Sequence, residues 1–169
     1  AMASAPPIIQ AANRGDAVEI KRRLREDPSS AHAIMEVTGD SLLMLAADRG
    51  LTEIVTLLLG VPDIAINHAD AVGRTALILS SIAGHVAIVK LLLGATGIDI
   101  NHVDKWGCTA LMRATDEGQL PVVQLLLAAP GIDITLRDKA GLTARDIATR
   151  GADSALGPPP GGIGASCSL

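Results

Sequence analysis

The sequence contains no phenylalanine, no tyrosine and a single tryptophan, Trp106. A core without aromatic rings has to be filled by Leu, Ile, Val and Ala, which suits close packing of short helices better than an aromatic-filled sandwich. Cysteine is nearly as scarce. Cys108 and Cys167 are too few for a disulfide framework, so a reducing compartment is expected, the cytoplasm with the nucleus as the alternative. Positive charge is not in excess either: the formal net charge is −4. There is no basic surplus to displace counterions and almost no ring to stack on bases, which argues against nucleic acid as the partner. What is abundant is aliphatic: 49% of the 169 residues are hydrophobic. With so little net charge, that composition excludes a disordered chain, and the length fits one domain.

Mean hydropathy is +0.39, and Ala76 to Ile98 is a long apolar stretch. It is interrupted by Gly84, His85, Lys90, Gly94 and Gly97, too many breaks for a spanning helix of about 20 apolar residues. No membrane insertion is expected. Ala1 to Gln10 lacks the basic start and long apolar run of a signal peptide. Ala1 precedes Met2 and is read as a tag remnant, with the native start at Met2 or the chain an excised fragment.

The strongest signal is self-similarity. Asp70-Ala-Val-Gly73-Arg-Thr75-Ala76-Leu77 aligns with Asp104-Lys-Trp-Gly107-Cys-Thr109-Ala110-Leu111 at an offset of 34 residues. The same offset joins Gly84 to Gly118, Leu91-Leu93 to Leu125-Leu127, and Gly97-Ile98-Asp99-Ile100 to Gly131-Ile132-Asp133-Ile134. It extends forward to Asp138 and Gly141 and back to Gly39, Leu43, Gly50 and Leu57-Leu59. A fixed period of this size is the mark of a solenoid.

Each unit reads as one device. A turn centred on Gly73, Gly107 or Gly141 leads to an N-capping hydroxyl at Thr75, Thr109 or Thr143, with Ser41 in the same place earlier. The pattern predicts a short helix over Ala76 to Ala83, stopped by Gly84, and a second over Val86 to Leu93. Pro121 falls in the first turn of its helix, where a missing N–H costs little. Neither helix is long enough to stand alone, so each must bury its apolar face on its neighbours.

The pattern Asp-x-x-Gly-x-Thr-Ala-Leu, then Gly, Leu-Leu-Leu and Gly-Ile-Asp-Ile-Asn resembles the ankyrin repeat, over about Pro6 to Leu156. Family repeats run about 33 residues. Here Ala76 and Ala110 stand where the family has Pro, and Ile78 and Met112 where it has His, so apolar packing replaces the family's Thr–His hydrogen bond. The resemblance implies an all-α solenoid of stacked helix-turn-helix units with short β-hairpin-like loops. The units are expected at 1–35 (N-terminal cap), 36–69, 70–103, 104–137 and 138–156 (C-terminal cap), followed by a Gly/Pro-rich tail at 157–169. Arg145, where other units have Leu77 and Leu111, predicts a solvated outer face for the last unit. The tail segment Ile163 to Leu169 is expected to pack on a groove of this chain or of a neighbour.

No phosphate-binding loop, nucleophile elbow, zinc-protease motif or paired-cysteine motif is present in the sequence. No catalytic residue, metal ligand or cofactor is expected. His68 and His102 recur in Ile-Asn-His, but stacked units are too far apart to share one zinc easily, so these residues and His85 are read as fixing turns. The run Lys21-Arg22-Arg23-Arg25 could meet phosphates or anionic lipid, and is read instead as a solvated cap helix.

Binding remains. The resemblance implies that a partner meets the hairpin tips and the exposed side of the first helices. Mapped onto this sequence, the candidate contacts are Val72, Arg74, Lys105, Trp106, Cys108, Lys139 and Leu142 on the tips. Ile82, Arg113, Asp116 and Glu117 are the candidates on the helices. Trp106 stands out, because interface hot spots are enriched in Trp and this chain needs no aromatic for its core. An apolar strip with a mixed charged rim predicts an amphipathic peptide or protein partner, and exposed Trp106 also allows a weak homodimer. The function expected is that of a non-enzymatic scaffold or adaptor. The alternative is a regulatory or substrate-docking domain cut from a larger enzyme or channel.

Overall fold

The computed structural model describes residues 5–153. Nine α-helices follow one another among these residues. They are α1 (Pro7–Arg14), α2 (Ala17–Glu26), α3 (Leu42–Asp48), α4 (Thr52–Leu59), α5 (Ala76–Ala83), α6 (Val86–Leu93), α7 (Ala110–Asp116), α8 (Leu120–Ala128) and α9 (Ala144–Asp153). A 3-10 turn at Pro28–His32 joins α2 to the first hairpin, and no repeat in the sequence foreshadowed it. The odd-numbered helices pack in one layer, α1 on α3, α3 on α5, α5 on α7 and α7 on α9. The second layer runs α2, α4, α6, α8 in the same order. The long apolar stretch resolves into α5 and α6, and no helix among the described residues is long and apolar enough to cross a membrane.

Local chemistry sets the helix ends. Ser41, Thr75 and Thr109 accept from the backbone N–H groups of Met44, Ile78 and Met112 at 3.2, 3.4 and 3.2 Å. Thr143 and Asp146 cap α9 reciprocally: Thr143 N donates to the Asp146 carboxylate at 2.9 Å, and Asp146 N to Thr143 Oγ1 at 3.3 Å. The bonds that Thr143 N and Thr143 Oγ1 donate to its carboxylate hold the Asp146 carboxyl below the usual range. Gly84 ends α5 in the left-handed region, φ 75°.

The core is aliphatic, as the missing aromatics require. Leu42 to Ala47 are all buried along α3, and Leu77, Ile78, Ile88, Leu92, Met112 and Leu126 continue the core through the stack. Ser81 breaks the pattern. Its hydroxyl is fully buried without a hydrogen-bond partner, whereas Ala47 fills the matching place one unit earlier. Ser81→Ala is expected to raise stability by about 1 kcal/mol, read as a higher urea midpoint, because it removes a desolvated hydroxyl and leaves no cavity.

The hairpins are joined tip to tip. Ala71 N donates to Thr38 O, Lys105 N to Val72 O and Lys139 N to Trp106 O, at 3.0, 2.9 and 2.9 Å. The backbones approach closely enough that the turn glycines matter for space as well as conformation. A Cβ on Gly107 (φ +78°) would lie 3.1 Å from Lys139 N and 3.2 Å from Asp138 Cα, while one on Gly141 (φ +81°) would meet nothing within 4 Å. Gly141→Ala is expected to cost about 1–2 kcal/mol for the left-handed alanine alone. Gly107→Ala is expected to cost more, because it also pushes on the N–H that joins two units. Equal urea midpoints for the two variants would contradict the steric account.

Candidate protein-binding surface

The hairpins at Asp70, Asp104 and Asp138 are each built around one buried aspartate, whereas the first hairpin has exposed Glu36 in that place. Asp70 Oδ1 accepts from Val72 N and Arg74 N at 3.0 and 2.8 Å. Asp104 Oδ1 accepts from Trp106 N and Cys108 N at 2.9 and 3.1 Å. Asp138 Oδ1 accepts from Ala140 N and Leu142 N, both at 2.9 Å. The aspartate holds the turn backbone, and so the side chains on the tip, in one orientation.

The second carboxylate oxygen is treated differently from unit to unit. Asp70 Oδ2 accepts from Arg74 Nε at 2.7 Å, a tip residue about one-third exposed. In the next unit Cys108 stands in place of Arg74. There Arg113 reaches back from α7 instead, donating to Asp104 Oδ2 from Nε and a terminal nitrogen at 2.8 and 2.6 Å. This pair is almost wholly shielded, with side-chain exposures of 7% and 0%. The sequence reading missed it, although the signal was there: Arg74 becomes Cys108 in the same unit in which Leu79 becomes Arg113.

Trp106 sits above this pair. It is half-buried, packed partly on the core, with Lys105 Nζ 4.3 Å and Arg113 Cζ 4.9 Å from the ring centroid. Both distances are within cation–π range. The indole is therefore held by its neighbours yet keeps a solvent-facing side. The backbone ladder sets Val72, Trp106 and the exposed Lys105 and Lys139 along one row of tips.

Several candidates stand elsewhere than the sequence reading placed them. Cys108 is fully buried and disulfide-bonded, so it offers no surface contact. The chain's other cysteine, Cys167, lies outside the described residues. Arg113 is buried at 6% exposure, because its guanidinium neutralises Asp104. Arg74 is tied to Asp70. Leu142 and Ile82 are half-buried. Asp116 and Glu117 are exposed, but they lie at the end of α7 and line a groove with α8 and α9. The tail segment Ile163 to Leu169 lies outside the described residues.

The histidines and the basic run serve the scaffold. His68 Nε2 and His102 Nε2 donate to the carbonyls of Gly39 and Gly73 in the preceding hairpins, at 2.7 and 3.0 Å. His85 Nε2 donates to Asp48 O at 2.9 Å. Asn67 and Asn101 bridge to Gly97 O and Gly131 O on the opposite edge. On α2, Arg22 is paired with Glu19 and Glu26, and its hydrogen bonds hold the Glu19 carboxyl at about 2. Lys21 is paired with Glu53. This basic run is largely matched by its own acids.

Stacked helix pairs with a hydrogen-bonded ladder of hairpin tips define a helical-repeat solenoid, in which each unit is stabilised by the next. The sequence model of the family described as Ankyrin repeats (3 copies) matches residues 8–104 and again 43–138, and the chain belongs to the ankyrin-repeat family. No curated protein matches the chain.

Proposed function

We propose that this chain is a non-enzymatic adaptor that grips a partner segment along its hairpin tips, with Trp106 as the anchor; ankyrin repeats are generally protein–protein interaction modules. One observation carries the reading: the chain's only Trp is held half-buried on the tip row by Lys105 and Arg113, with Val72 and Lys139 in the neighbouring tips. A pre-ordered aromatic ring loses little entropy on binding, and such rings dominate interfaces. Because Asp116 and Glu117 lie at the end of α7, the rim around Trp106 is set by Lys105 and Lys139. The partner segment that fits is apolar with acidic residues, more uniformly acidic at its edges than the mixed rim inferred from the sequence.

The test is paired affinity capture from cell extract, followed by affinity measurement with the captured protein. Trp106→Ala is expected to weaken binding at least tenfold, and Lys105→Glu with Lys139→Glu to weaken it further while steepening no salt dependence. Circular dichroism confirms that each variant remains folded. Arg74 is left intact, because Arg74→Glu would set a second carboxylate against buried Asp70. Unchanged affinity in Trp106→Ala would remove the tips as the binding surface.

A further inference from the structure

The two ends of the stack are finished differently. At the N-terminal end, α2 carries the paired charges Glu19, Arg22 and Glu26. At the C-terminal end the outer face of α8 is apolar: Leu120 is 69% exposed, Leu127 51% and Ile134, just beyond the helix, 56%. Together with α9 they line a groove of about 840 Å³. The cause lies in the layer order. The faces of α2, α4 and α6 are each covered by the next even-numbered helix, and among the described residues nothing takes that place on α8.

The groove is also polarised. The three-residue turn between α7 and α8 makes these helices antiparallel, so Glu117 lies at the end where α8 begins. Arg145 lies at the end where α8 finishes and α9 starts, as does Arg137, which also donates to Gly141 O at 2.7 Å and lies 3.7 Å from the Asp146 carboxylate. A helix laid parallel to α8 would put its positive N-terminal end at Glu117 and its negative C-terminal end at the two arginines. That is the direction in which every even-numbered helix already runs.

We propose that this groove docks an amphipathic helix of about two turns from a partner protein, parallel to α8, continuing the second layer of the solenoid. Its apolar side chains stand at the third, fourth and seventh positions. Those are the positions of Ile88, Val89 and Leu92 in α6 and of Val122, Val123 and Leu126 in α8. Such a helix-in-groove mode draws on apolar burial for affinity and on the end charges for direction. The surface is separate from the hairpin tips.

The probe is a fluorescein-labelled peptide with the sequence of residues 84–94, which has this pattern, followed by anisotropy. Saturable binding to the full chain is expected. It should weaken at least tenfold in Leu127→Glu and in Leu120→Glu, and be unchanged in Trp106→Ala. Both leucines are solvent-exposed, so the fold should survive, and circular dichroism checks it. A scrambled peptide should not bind. Three results would overturn the proposal. The first is no saturable binding, or binding indifferent to both leucine variants. The second is sedimentation showing a dimer that Leu127→Glu dissociates, which would make a second copy the occupant. The third is binding that emerges only when residues 154–169 are removed, which would make the chain's own tail the occupant. None of these touches the Trp106 reading, which stands or falls on the capture experiment.

Discussion

Replacing Arg113 with methionine is expected to lower the stability of the chain by about 3–5 kcal/mol, the cost of leaving a buried carboxylate without its counter-charge. Methionine keeps most of the side-chain volume, so packing loss is a minor part of the effect. Lys105 is exposed to solvent over the Trp106 ring and makes no ion pair with Asp104 among the described residues. Adding Asp104→Asn should recover part of the loss. Asparagine retains the Oδ1 acceptor that holds Trp106 N and Cys108 N while removing the stranded charge. Strictly additive losses in the double variant would mean that the two residues do not act as a pair. Because Trp106 is the only tryptophan, intrinsic fluorescence reports this hairpin alone. A red-shifted emission in Arg113→Met, at urea concentrations where helicity persists, is expected if the pair also holds the indole in place.

The second large effect is a contrast between two leucines of one motif. Leu92→Ala is expected to cost about 2–5 kcal/mol, since Leu92 is fully buried and its removal leaves a cavity in the stack. Leu127→Ala is expected to change stability by no more than about 0.5 kcal/mol. Both belong to a Leu-Leu-Leu run and both lie in a second-layer helix. Part of the difference is place in the run, since Leu126, the counterpart of Leu92, is also fully buried; the rest is cover, since Leu93, the counterpart of Leu127, is packed against the core where α6 lies against α8. Comparable destabilisation by both substitutions, in urea titrations followed by circular dichroism, would mean that α8 is covered in solution by something the described residues do not supply.

The hairpin anchors show how far the sequence reached into the site. Gly107 and Asp104 were visible as repeated letters, and their turn geometry followed from residue chemistry alone. Trp106 was singled out by rarity. Its half-burial was not legible, because it depends on Arg113, nine residues after Asp104, folding back under the tip. For the same reason Arg113 looked like a groove contact when it is a buried counter-ion. Cys108, adjacent to the turn glycine, looked like a tip residue, yet it lies fully inside. Asp116 and Glu117 are expected on the exposed side of the first helix, and the end of α7 places them on a groove with α8 and α9.

The sequence by itself determined the local and repeating features: helix bounds over Ala76–Ala83 and Val86–Leu93, capping hydroxyls, left-handed glycines and an aromatic-free core. Each of these depends on a residue and its neighbours within a turn or two, so one period of sequence suffices to read it. The tertiary structure alone decided which copy of each repeated residue is buried, which carboxylate meets which arginine, and that no helix among the described residues covers the α8 face. Those outcomes depend on the unit stacked next door, and similar motifs differ in them because their neighbours differ.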